Sequence, residues 1–175
     1  MLVVVPFPEH GGVGVATLMA VAGERYHRRR TNASFSSNDL PHRPPPIEIE
    51  VRAVPCSGPH GYGDLLASMW ERGEAFINLE HDVAPWPGAL TQMWECDKPW
   101  CALPLIVHQC VNDTNLGCAK FSADFIAATP ELWRTYPRND IFDWRSLDSW
   151  LYQKLSPRVH HRHEPPALHM NEAHL

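Results

Sequence analysis

Residues 64–90, "DLLASMWERGEAFINLEHDVAPWPGAL", constrain the fold more than any other stretch of the chain. Asp64 opens the run as an acidic N-cap, Leu65, Leu66, Met69 and Trp70 recur at helical spacing, and Gly73 closes it. These signals predict an amphipathic helix that stops at the glycine. A compact apolar strand over 75–79 follows and runs directly into Glu80 and Asp82, before a Pro/Gly turn. A helix feeding a buried strand so closely is half of an α/β unit. In open α/β sheets, ligands sit beyond the carboxyl ends of the strands, which is where these acids fall.

The rest of the chain supplies the other layers. Residues 2–5 form a β-branched run stopped by Pro6, a first strand. "IEIEVRAV", 47–54, alternates apolar and charged residues at period two, as a half-exposed strand does. Between them "VGVATLMAVAGERYHRR" is helix-compatible up to Gly23, and 31–46 is a Ser/Asn/Pro-rich loop expected to be flexible. "GALTQMWEC" predicts a helix, "WCALPLIVHQC" a strand bent or edged at Pro104, and "CAKFSADFIAATPELW" a helix ending near Pro130. Trp144, Leu147, Trp150, Leu151 and Leu155 give 143–155 helical spacing, and the His-rich tail at 159–175 reads as a strand and a proline-bent segment. The expectation is one α/β domain over 1–175, with a central mixed sheet flanked by helices.

Charge and cysteine usage exclude some functions. A net charge of -5 and a pI near 6.1 argue against a nucleic-acid protein held by phosphate contacts. No apolar run reaches the ~18 residues of a membrane helix. Pro6 and Pro8 interrupt an N-terminus without a basic region, so it does not read as a signal peptide. Five cysteines without zinc-finger spacing are expected to be reduced thiols in a cytoplasmic protein.

Glu80 and Asp82, at i and i+2 of an extended segment, are expected to point to one side with His81 turned away. Two like charges so close repel unless a proton or a cation relieves them. A hard divalent ion such as Mg²⁺ or Mn²⁺ does so, completing its shell with phosphate oxygens and water. Solvated acids bonded to turn amides are the plainer alternative.

The order helix, Gly, strand, "EHD", "VAPWPGAL" resembles the core of nucleotide-sugar glycosyltransferases of the A-type fold, with Glu80 where the D-x-D motif has its first Asp. The small size is similar to that of compact glycosyltransferase-like proteins of phage genomes. The resemblance implies that Glu80 and Asp82 face Mn²⁺ or Mg²⁺ and the diphosphate of a uridine- or guanosine-linked sugar donor. It implies that Pro6, in "LVVVPFP", ends the strand beside the base, and that Gly117, in "LGCAKFSADFIAATPELW", lines the donor-sugar and acceptor side. Asp148 falls where the family often carries the base that deprotonates the acceptor hydroxyl. A C-terminal histidine closes the metal site in many members, and among His161, His163 and His169 the expectation favours His169, then His163. Trp86, beside the acids, is the tryptophan expected to touch ligand, because aromatic faces suit a pyranose.

Two other classes stay open. A Zn²⁺ protein could use His161, His163 and His169 with a carboxylate. A non-catalytic carbohydrate-binding module could use tryptophans and would keep binding sugar without the acids.

Overall fold

A computed structural model describes residues 1–9, 17, 21, 48–107, 109–112, 115–138, 144–155 and 160–170. The expected loop at 31–46 and most of the expected helix before it lie outside the described residues. Two mixed sheets with helices on both sides of the larger one make up an α/β fold. The larger sheet has the order β2-β1-β3-β8-β5-β9, built from Glu50–Cys56, Leu2–Pro8, Phe76–Leu79, Cys118–Phe121, Trp100–Ala102 and His160–Arg162. The smaller one runs β4-β10-β6-β7, from Val83–Ala84, Ala167–His169, Leu105–Val107 and Cys110–Asn112.

The inner strands β1, β3, β8 and β5 are buried on both faces because both faces are covered, whereas the edge strand β2 is half-exposed. In β1, Leu2 and Val4 pack with one cluster while Val3 and Val5 pack with the other. The first cluster joins helices α1 (Gly61–Arg72), α3 (Ala123–Ala128) and α4 (Trp144–Leu155) through Leu66, Trp70, Phe125, Leu147 and Leu151. Trp70 and Trp150 belong to this core, as their helical spacing predicts. The second cluster joins helix α2 (Ala89–Glu95) and the small sheet through Leu90, Met93, Val83, Leu105 and Ala167.

Several boundaries differ from expectation for local reasons. Helix α1 begins at Gly61, so Asp64 lies in its first turn rather than at its cap. It ends at Gly73, whose φ of 70° is left-handed, as its stop signal requires. β1 continues through Pro6 to Pro8, because β3 pairs with Val3 and Val4 and, among the described residues, the later prolines have one neighbouring strand. "CAKF" is strand β8, not helix; its place between β3 and β5 outweighs local propensity. The segment around Pro104 divides into β5 and β6, and the chain crosses there from one sheet to the other.

Candidate active site

The acids lie beyond the carboxyl end of β3, but a turn rather than an extended segment presents them. The Val83 amide donates to the Glu80 carbonyl at 3.1 Å. The Thr17 hydroxyl sits 3.2, 2.5 and 3.0 Å from the carbonyls of Glu80, His81 and Val83. Because the chain turns, His81 is not directed away: its Nδ1 lies 3.9 Å from Asp82 Oδ1.

The tail closes the site from the other side. β10 pairs antiparallel to β4, with His169 opposite Val83. The Met170 amide donates to the Asp82 carbonyl at 2.7 Å, and His169 Nε2 stands 3.4 Å from Asp82 Oδ2. One ligand atom each from Glu80, Asp82 and His169 fall within 4.8 Å of one another. The Asp82 and His169 side chains are only 19% and 20% exposed. Asp82 Oδ1 and His169 Nδ1 are buried with no hydrogen-bond partner among the described residues. Two carboxylates and an imidazole, with polar atoms left unsatisfied, fit a divalent cation with mixed O/N ligation.

Asp148 reaches the same place from α4. Burial, then the charges of Asp148 and Asp82, push the Glu80 carboxyl up to about 8, against a hydrogen bond from Tyr62. Burial pushes Asp148 up to about 7, against a backbone hydrogen bond with Leu116. Tyr62 and Asn78 are polar members that sequence reading missed. Asn78 Nδ2 donates to the Tyr62 hydroxyl at 2.5 Å and to the Leu116 carbonyl at 2.6 Å. The signal for Asn78 was present: one amide in the otherwise apolar strand "FINL", and buried amides are there to be bonded.

The other expected residues divide. Gly117 is at the site: its carbonyl accepts the Glu80 amide at 2.8 Å. A Cβ there would lie 2.6 Å from Leu105 Cδ1 and 3.1 Å from Glu80 Oε2. Gly117→Ala is therefore expected to displace the Glu80 carboxylate and cost about 1–3 kcal/mol. Chemical denaturation and Mn²⁺ affinity, measured together, check both effects. Pro6 is buried inside β1, two residues before its end at Pro8. The Trp86 indole donates to the Pro165 carbonyl at 2.9 Å, so its N–H anchors the tail.

His163 is not brought to the acids. It lies with Cys96 and Cys101, one ligand atom from each within 4.8 Å of the others. Its backbone explains this, because the His163 amide donates to the Ala102 carbonyl beside β5. His163 and His169, expected together in one metal site, lie instead in two different clusters. The His161 side chain lies outside the described residues.

Together these features define an α/β fold with a carboxylate-rich cluster at the end of β3. The fold is similar to the crystal structure of a glycosyltransferase involved in the glycosylation of the major capsid of PBCV-1. The TM-score is 0.51 at 9% identity, over 99% of this chain and 96% of that one. No family and no curated protein sequence matches this chain. Among the described residues, no helix is long and apolar enough to cross a membrane.

Proposed function

We propose that this protein transfers a sugar from a nucleotide-sugar donor, uridine- or guanosine-linked, to an acceptor hydroxyl. The observation that carries this reading is the convergence of Glu80, Asp82 and His169 at the end of β3, in a fold shared with a glycosyltransferase. Glu80, Asp82 and His169 would hold Mn²⁺ or Mg²⁺, with imidazole favouring Mn²⁺. When bound, the ion neutralises charge on the departing diphosphate.

The chain's own residues do the rest. Asp148 accepts the proton of the acceptor hydroxyl. Its raised pKa places it near neutrality, where a general base works best. Tyr62 and Asn78 fix the floor beneath both carboxylates. Gly117 keeps the space beside Glu80 open for the donor.

A thermal-shift panel of uridine and guanosine diphosphate sugars, with and without Mn²⁺, tests the reading. One nucleotide class is expected to raise Tm by roughly 5–10 °C at about 100 times its Kd, and only with the ion present. Equal stabilisation without metal, or none from any donor, contradicts it.

A further inference from the structure

We propose that Cys96, Cys101 and His163 form a second metal site, one that takes Zn²⁺ and fastens the C-terminal segment to the body of the fold. This proposal does not depend on sugar transfer. The three residues come from separate places: Cys96 ends α2, Cys101 lies within β5, and His163 follows β9. Their ligand atoms lie within 4.8 Å of one another. Zn–S bonds near 2.3 Å and Zn–N bonds near 2.1 Å put tetrahedral ligands about 3.5–3.8 Å apart, so small side-chain rotations close the set. The backbone holds all three in place. The Cys96 amide donates to the Met93 carbonyl at 3.2 Å, and the His163 amide to the Ala102 carbonyl at 3.0 Å.

The chemistry separates this site from the acidic one. Thiolate and imidazole are soft and borderline ligands that select Zn²⁺, whereas the carboxylates of the first cluster suit Mn²⁺ or Mg²⁺. Cys101 and His163 are buried and Cys96 is half-buried. Two thiolates would cancel the charge of Zn²⁺, so a low-dielectric setting can accept the assembled group. Lys120 lies beside the cluster. It is 5% exposed, and its ammonium donates to the carbonyls of Cys96 at 2.5 Å and Lys98 at 3.4 Å. Burial, then the neighbouring Cys96, push the Cys101 thiol up in the metal-free chain, and the Lys120 charge opposes them. Three protein ligands leave the fourth tetrahedral position to water.

The consequence lies in the tail. Among the described residues, β9 joins the large sheet through a three-residue ladder with β5 alone. The same segment continues through Pro165, which accepts the Trp86 indole, to His169 beside Asp82. A zinc cross-link at His163 would tie this segment to α2 and β5, six residues before it delivers His169.

The experiment uses the untagged full chain, reduced and stripped with chelator, then titrated with Co²⁺. One equivalent is expected to produce thiolate-to-cobalt charge-transfer absorption in the near ultraviolet, abolished by adding Zn²⁺. Asp82→Asn should keep the band. Cys96→Ser, Cys101→Ser and His163→Asn should remove or weaken it, with Zn²⁺ affinity falling at least about 100-fold. Should buried Cys101→Ser fail to fold, half-buried Cys96→Ser carries the test, with circular dichroism confirming its structure. A folded wild-type chain with no band overturns the proposal, and so does a band of undiminished intensity and affinity in Cys96→Ser. A Cys96–Cys101 disulfide in a chain that binds no zinc when reduced also overturns it, in favour of a redox pair.

Discussion

Asp82→Asn is expected to lower metal-dependent sugar transfer by about 10²–10³-fold in kcat, as loss of one preorganised electrostatic contact at a reacting centre does. The substitution keeps the shape and removes the charge. It should leave the fold intact, because Asp82 Oδ1 has no hydrogen-bond partner to lose among the described residues. Among the described residues, the side-chain contacts at stake are those to His169 and His81, at 3.4 and 3.9 Å. His169→Ala should cost less, about 10–100-fold, since a neutral ligand contributes affinity without charge neutralisation. Steady-state kinetics at saturating Mn²⁺, beside a denaturation curve for each variant, separate lost chemistry from lost structure. A variant inactive only because it is unfolded would show in the second measurement.

Glu80→Gln is expected to move stability and function in opposite directions. In the metal-free protein Glu80 holds its proton up to about pH 8, while an unfolded chain releases it near 4.5. Between those values the folded state binds more protons than the unfolded one, so stability falls as pH rises, by up to about 1.4 kcal/mol per unit per group. Asp148 adds to the same slope between about 3.8 and 7. Below this window both states are protonated, and above it both are ionised, so the slope disappears at either end. A neutral Gln removes the Glu80 share and should stabilise the metal-free chain by roughly 2–4 kcal/mol at pH 8. Mn²⁺ binding should be lost in the same variant. In the wild type, metal affinity should rise with pH through this window, because the ion competes with protons for the carboxylates. Denaturation curves from pH 5 to 9, with chelator or with Mn²⁺, give both slopes. A metal-free stability that rises with pH would contradict the crowded, buried carboxylates described above.

Much of the site was legible because it is local. Helix α1, Gly73, strand β3 and the acids that end it lie between residues 61 and 82, and each carries its own signal in propensity, capping or burial. What brings His169 to Asp82 is not local: β10 crosses back to pair with β4, and no periodicity near 169 records that partner. The same holds for His163. Its spacing from His169 suggested one shared ion, but the ladder between β9 and β5 carries it to Cys101 instead. "CAKF" misled for a related reason, since its residues tolerate a helix and only two flanking strands make it β8. Pro6 read as a stop because a proline cannot donate to a ladder, yet β1 at that point has one partner to satisfy rather than two.

On the proposed function, Glu80, Asp82 and His169 hold a divalent cation in common with a nucleotide diphosphate. Electron paramagnetic resonance of free Mn²⁺, titrated against the chain with and without uridine or guanosine diphosphate, measures this directly. One bound ion per chain, held at least about tenfold more tightly when the nucleotide is present and lost in Asp82→Asn, is the predicted result. Mn²⁺ that stays free, or binds with the same affinity whatever the nucleotide and whether or not Asp82 carries a charge, would contradict it.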